Sequence, residues 1–339
     1  MKIIRSITPL RLGLAGGGTD IDAYCNKYTG YVLNTTISLY VHCTIEERND
    51  GNIYLESFDF NIKEEIKSSI KLDMNDGLRL YKIIYNRIVK DYVKKPLSFS
   101  LYTYSDVPSG SGLGGSSTIV VGIIKVFVEW LNLPLGDYDI AKLAYEIERE
   151  DAGISGGAQD QYAATFGGFN FMEFHNNKKV IINPLRIKRW IERELESRIV
   201  LYFTNITREA KVLEEHKKIK MQESKSLQAL HSIKQDAIDM KEALLKADFK
   251  TLASILGRSW ESKKTMADIV SNEEIERVYN LAMQSGAYSG KTSGAGAGGF
   301  MFFLVEPTNK QNLVNVLNKE QGYVVKFQFV NEGAISWRL

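Results

Sequence analysis

Two hydrophobic patterns are interleaved along the chain, a strict alternation in short runs and an apolar recurrence every three to four residues in longer ones. Residues 98–106 (SFSLYTYSD) alternate as a half-buried strand does, and residues 119–128 form an apolar run that reads as a helix. Residues 2–8 predict an opening strand. Residues 31–47 are rich in β-branched and aromatic side chains, and residues 52–57 follow after Asn49-Asp50-Gly51, which together predict a β-meander with an Asp-Gly hairpin turn. Leu78, Tyr81, Ile84, Tyr85, Ile88 and Tyr92 recur at helical spacing ahead of Pro96. Residues 137–150 predict a second strong helix. Residues 169–174 predict a strand that turns back through Asn176-Asn177. Beyond a charged helix at 186–198 the texture changes. A strand at 199–204 precedes one long Lys- and Glu-rich helix over 208–258, continued by 260–266. A further helix at 272–285, a strand at 300–305 and closing strands at 321–330 and 334–339 complete the pattern.

Glycine interrupts these elements three times. Pro108-Ser109-Gly110-Ser111-Gly112-Leu113-Gly114-Gly115-Ser116-Ser117-Thr118 lies between a predicted strand and a predicted helix. Converging backbone N–H groups and the free first turn of a helix make such a loop an anion cradle, and the usual anion is a phosphate. Arg11 and Asp20 bracket a second stretch, Gly16-Gly17-Gly18-Thr19, and suit either a polar substrate or a surface ion pair. The third runs from Ser289 to Gly299, with Lys291, Gly294 and Gly296 inside it. One phosphate turn needs one such loop; three point to a single site assembled from both halves of the chain.

Composition narrows the class. The 339 residues are too many for one ordinary core and suit two domains, divided at 1–190 and 191–339. The 44% hydrophobic and 25% charged content is that of a globular protein, and a net charge of +2 implies no general polyanion or nucleic-acid binding. No apolar run approaches a membrane span, and Met1-Lys2-Ile3-Ile4-Arg5 carries no signal-like segment, so a cytoplasmic enzyme without a membrane partner is expected. Cys25 and Cys43 have no metal or redox spacing and read as packed thiols; four scattered histidines give no zinc pattern.

Two acidic positions carry candidate chemistry. Glu148 lies in the acidic end Glu146-Ile147-Glu148-Arg149-Glu150-Asp151 and faces either solvent or a metal. Asp160, after Gly156-Gly157, is either a helix cap or a catalytic carboxylate. Two other motif readings compete. Gly110-x-Gly112-x-x-Gly115 matches a dinucleotide fingerprint, but the acid expected ~20 residues on falls where a helix starts; a nicotinamide oxidoreductase is therefore a remote alternative. Gly290-Lys291-Thr292 resembles the end of a P-loop, yet it follows a helix and precedes a strand, the reverse of that motif's context. A phosphosugar-binding module without catalysis is the other alternative.

The ordered set of three motifs resembles the GHMP kinases. Pro108-x-x-x-Gly112-Leu113-Gly114-x-Ser116-Ser117 is similar to the family's ATP loop. Lys291-x-Ser293-Gly294-Ala295-Gly296-x-Gly298-Gly299 is similar to its C-terminal glycine loop, and Pro9-x-Arg11 with residues 16–20 to its substrate motif. Residues 15–20 and Gly156-Gly157-x-Gln159-Asp160-Gln161 resemble the sugar-1-kinase branch. The resemblance implies an α+β fold with an N-terminal domain containing a left-handed βαβ crossover and a ferredoxin-like C-terminal domain. It implies ATP and Mg²⁺ as cofactors, a sugar phosphate as the acceptor partner, and allows a homodimer. The implied reaction carries the ATP γ-phosphate to the anomeric hydroxyl of a heptose 7-phosphate, toward a nucleotide-activated heptose for surface polysaccharide, with fucose as the alternative acceptor. By the same resemblance Pro108, Gly110, Ser111, Gly112, Leu113, Gly114, Gly115, Ser116 and Ser117 hold the nucleotide. Ser116 and Glu148 hold the metal, with Glu146 and Glu150 still open. Asp160 and Arg11 are catalytic, and Gly17, Gly18, Thr19, Asp20, Gly157, Gly294 and Gly296 complete the acceptor site. Candidates for the acceptor's own phosphate are Arg208, Lys211, Lys178 and Lys179.

Overall fold

The run of β-branched and aromatic residues after Tyr28 becomes the spine of a sheet, the 18-residue strand β2 (Gly30–Glu47), which follows β1 (Ile3–Ala15). The computed structural model describes residues 2–75, 77–206, 224–266 and 270–339. β3 (Asn52–Ser57), β4 (Ile62–Lys67) and β5 (Phe99–Ser105) follow, and the last strand of the chain is β13 (Ile335–Arg338). The first sheet runs β13-β1-β2-β5-β3-β4, while β6 (Asn170–Phe174), β7 (Val180–Pro184) and β12 (Phe329–Val330) extend from β2.

The expected β2–β3 hairpin does not form. β5 lies between the two strands, antiparallel to β2 and parallel to β3. The Asp-Gly turn docks on the start of β5 instead: Arg48 N–H donates to the Ser98 carbonyl at 3.0 Å, and Ser98 Oγ donates to Asp50 at 3.2 Å. A parallel pair needs a crossover, here through β4 and the helix Arg79–Ile88.

The helix Gly115–Leu131 packs on β1 and β2. Phe99 of β5 meets Phe127 and Trp130 of this helix at ring distances of 5.3 and 5.5 Å, and each large side chain so buried contributes roughly 1.5–3 kcal/mol. That packing fixes the helix, and with it the glycine loop at its start. Cys25 and Cys43 are free and buried, as expected of packed thiols, and burial pushes each up to about 12.

The second sheet is wholly antiparallel, in the order β11-β8-β10-β9, from β8 (Ile199–Phe203), β9 (Ala287–Thr292), β10 (Phe300–Val305) and β11 (Tyr323–Val325). With helices between β8 and β9 and between β10 and β11, this is the split βαββαβ arrangement of a ferredoxin-like unit. The long helix expected here is broken. Ser224–Leu245 and Phe249–Met266 are two packed helices joined by Ala247 at φ 57°. Asp248 caps the second by accepting from Thr251 N–H at 3.0 Å. After β11 the chain returns to the first sheet, where β12 pairs with β2 and β13 with β1. Dividing the chain at 190/191 therefore remains a proposal for the run up to β11; the final strands lie with the first sheet. Among the described residues no helix is long and apolar enough to cross a membrane.

Candidate active site

The glycine loop joins β5 to the helix Gly115–Leu131, whose N-cap, Gly114, has φ 82° and offers no capping side chain. The first N–H groups of the helix therefore have no side-chain cap, and Gly115, Ser116 and Ser117 line the cleft at its positive dipole end. The loop is shaped from behind by the third glycine stretch. A Cβ on Gly112 would lie 2.7 Å from the Ser293 carbonyl oxygen, and one on Gly294 would lie 2.5 Å from that of Gly112. The two backbones touch where only glycines fit. Phe300 N–H donates to the Ser111 carbonyl at 2.8 Å and locks the pair.

Arg11 is the common partner of these segments. The strand β1 continues through the expected turn as far as Ala15, with bulges after Pro9 and Gly13, so Arg11 stands on a strand. Bulges re-aim neighbouring side chains. Its guanidinium meets Asp160 through two bonds, Nε to Oδ1 at 2.7 Å and Nη2 to Oδ2 at 3.1 Å. Nη1 donates to the Gly112 carbonyl at 2.7 Å and to Ser293 Oγ at 3.2 Å. Such a two-pronged pair is among the strongest and most directional side-chain contacts. Asp160 lies in the first turn of the helix Gln159–Phe166, whose N-cap is Ala158 and has no side-chain cap bond, so Asp160 is not that helix's cap.

Asp20 faces the same space. It accepts from Gly18 N–H at 3.0 Å, Gln159 N–H at 3.1 Å and Gln159 Nε2 at 3.2 Å. Burial pushes its carboxyl above the usual range, the N–H bonds oppose that, and the nearby Asp160 charge adds to it. Gly157 passes so close that a Cβ there would lie 1.9 Å from Asp20 Oδ2. Thr19 does not join this group. Its hydroxyl donates to the Gly16 carbonyl at 2.8 Å and accepts from Tyr31 N–H at 3.1 Å, and the residue is buried away from the cleft. Leu113 is likewise buried, and contributes its carbonyl to Arg11 N–H at 3.1 Å.

The structure separates the three glutamates near residue 148. The helix Asp137–Glu146 ends in one wider π turn, Ile147–Asp151, and turns of this kind often mark functional sites. Glu148, on that turn, is buried and accepts from Ser116 Oγ at 2.9 Å and Ser117 Oγ at 2.6 Å. Gln161 Nε2 donates to it at 2.6 Å, and Arg149 stands 3.5 Å away. Glu146 instead pairs with Arg87, and Glu150 with Lys178. The oxygen set of Ser116 and Glu148 fits a hard divalent cation that keeps waters and takes phosphate oxygens. Among the described residues no group of three or more His, Cys, Asp or Glu gathers for a metal.

These elements surround a cleft of about 900 Å³. Pro108, Gly110, Ser111, Gly112, Gly114, Gly115, Ser116 and Ser117 line it, as do Arg11, Gly17, Gly18, Asp20, Glu148, Gly157, Asp160, Gly294 and Gly296. Sequence reasoning passed over Phe60, Ile62, Leu80 and Val107, which give one end an apolar wall, and Gln159 and Lys263 at the other. No local motif distinguishes the first four from ordinary core residues. Lys178 and Lys179 do not line the cleft, and Arg208 and Lys211 lie outside the described residues.

Comparison with known proteins gives a consistent result. The family GHMP kinases N terminal domain matches residues 79–168, and GHMP kinases C terminal matches residues 240–324. Over all 339 residues the chain is 71% identical to D-glycero-alpha-D-manno-heptose 7-phosphate kinase of Campylobacter jejuni, with 100% of both chains covered. It resembles the crystal structure of a D-glycero-D-manno-heptose 1-phosphate kinase from Bacteroides thetaiotaomicron, with a TM-score of 0.86 and 49% identity over 99% of each chain. It is also 27% identical to the bifunctional fucokinase/GDP-fucose pyrophosphorylase of Arabidopsis thaliana, over 89% of this chain and 30% of that one.

Proposed function

The chain belongs to the GHMP kinases and is a sugar kinase, and from that premise we propose that it phosphorylates the anomeric hydroxyl of D-glycero-D-manno-heptose 7-phosphate to the 1,7-bisphosphate. Identity of 71% along the full chain to a kinase named for that substrate carries the choice of acceptor. The chemistry rests on the Arg11–Asp160 pair beside the glycine loop.

In this reading the triphosphate lies along residues 110–117, where backbone N–H groups and the helix end attract it. The base takes the apolar end walled by Phe60, Ile62, Leu80 and Val107. Ser116 and Glu148 would hold Mg²⁺, and a cation there would neutralise charge on the terminal phosphates. The acceptor lies against Gly17, Gly18, Asp20 and Gly157, with Gly294 and Gly296 opposite. Asp20 keeps lone pairs for sugar hydroxyls beyond those its N–H partners use.

Asp160 orients the anomeric hydroxyl and takes its proton as the new O–P bond forms and the β,γ-bridging P–O bond of ATP breaks. The proton then passes to solvent. Arg11 fixes the direction of the Asp160 carboxylate and faces the charge that builds on the transferred group. An anomeric hydroxyl is a better acid than an ordinary alcohol, so a carboxylate suffices as base.

An ATP-consumption assay over a sugar panel, each sugar with and without its terminal phosphate, tests the proposal. Consumption with the heptose 7-phosphate and little with free sugars is expected. Preference for free fucose would transfer the activity to that acceptor, and turnover of no sugar would overturn it.

A further inference from the structure

A second, smaller cavity opens beside the cleft. It shares Arg11, Gly17, Gln159, Lys263 and Gly294 with the cleft, so the two spaces adjoin. Its far wall is Lys291 and Thr292 of β9 with Ser259 of the helix Phe249–Met266. All three are at least nine-tenths buried.

Two features of this wall lack a structural explanation. Thr292 Oγ1 is buried with no hydrogen-bond partner among the described residues, which costs stability unless something supplies one. The Lys291 ammonium has three N–H donors and, among the described residues, makes one hydrogen bond, to the Leu14 carbonyl at 2.6 Å, and lies 5.7 Å from the Phe302 ring centre. A buried ammonium rarely persists without an anionic partner.

We propose that this cavity is an anion subsite that holds the acceptor's own phosphate, with Lys291 and Thr292 as its principal donors. The assignment rests on the phosphosugar-kinase reading above and extends it to the residues that choose a phosphorylated sugar over a free one. The cavity's ≈ 30 Å³ admits about two water-sized groups, enough for two phosphate oxygens while another faces Lys263, and Arg11 stays with Asp160 at the reacting end. The charges around Lys291 agree. Asp236 of the helix Ser224–Leu245 attracts it and Arg11 of β1 repels it, while Lys263 lines the same cavity and Arg258 pairs with Asp236. Burial pushes Lys291 down to about 7, and a phosphate dianion entering beside it would draw the proton back.

The test compares kcat/KM for the heptose 7-phosphate with kcat/KM for the same heptose lacking its phosphate. Lys291→Met should lower that ratio ~10–100-fold and Thr292→Val ~3–10-fold, the scale of lost hydrogen bonds to a charged group. A purely structural role would lower both terms and leave the ratio fixed, which would overturn the assignment. Direct titration with inorganic phosphate, with Mg-ADP saturating the glycine loop, gives a readout independent of turnover. Wild-type protein should bind phosphate at least ~10-fold more tightly than Lys291→Met and at least ~3-fold more tightly than Thr292→Val; equal affinity would remove the subsite. If wild-type protein turned over no sugar, the acceptor assignment would fail, while the phosphate titration would still decide the subsite.

Discussion

The two ends of the cleft are built from different material. The nucleotide end is mostly backbone: Gly112 presses against residues 293–294, and Gly110 and Ser111 against Gly299, with carbonyl oxygens close to glycine Cα atoms. The acceptor end is mostly charged side chains, Arg11, Asp20, Asp160 and Lys263, gathered from segments far apart in sequence. A backbone site tolerates little added volume and is indifferent to charge. A side-chain site behaves in the opposite way, and each end fails by its own kind of substitution.

The largest effect should come from the acceptor end. Asp160→Asn keeps the shape and removes the base, so kcat should fall by ~10²–10⁴ while the KM for ATP changes less than about threefold. Steady-state kinetics checks this, and a near-normal kcat would take Asp160 out of the reaction. At the junction of the two ends, Glu148→Gln and Ser116→Ala should shift the Mg²⁺ activation curve to higher concentration, the first by ~10–100-fold and the second by less. An unmoved curve in Glu148→Gln would exclude it as a metal group. At the nucleotide end, Gly112→Ala meets the Ser293 carbonyl from a backbone at φ 78°. The expected result is an ATP KM raised about tenfold and a loss of ~1–3 kcal/mol in stability, seen by thermal melting with and without nucleotide. A melt and KM equal to wild type would show that the two loops do not depend on each other.

The remaining effect is one of pH. Lys291 falls from its ordinary 10.5 to about 7 on burial. Between those values the unfolded chain binds a proton that the folded one does not, so stability rises with pH across that window. Lys291→Met lacks this titration. Its thermal advantage over wild type should be full at and below pH 7 and shrink toward pH 10; a constant difference would contradict the burial of charge.

The same contrast explains what the sequence could disclose. The loop at 108–118 was legible because a backbone cradle needs its glycines adjacent and its helix next in line. Arg11, Asp20 and Asp160 were legible as candidates through family resemblance, while their meeting depends on β1 running past Gly13 as a strand. Glu148 could not be chosen over Glu146 and Glu150 by helical spacing, because one π turn rotates the side chains that follow. The β2–β3 hairpin failed because a local turn signal says nothing of a third strand that starts at Phe99, 42 residues after β3 ends at Ser57. Thr19 looked like a ligand group because it stands beside Asp20, yet its hydroxyl closes the turn against Tyr31. Lys263 and Lys291 converge only through the packing of a helix on a strand, for which sequence carries no mark.

The return of β12 and β13 to the first sheet has a mechanical outcome. The ferredoxin-like unit is held at both of its ends, through residues 185–188 and again through residues 326–328, and the second connection is pinned where Ser38 N–H donates to the Gln328 carbonyl at 2.8 Å. Between these two connections the helix Ser224–Leu245 packs on β1 and β2, and Phe300 N–H donates to the Ser111 carbonyl, so the unit is clamped as well as tethered and the two glycine loops stay in register. A single backbone cut in either connection leaves the halves tethered by the other.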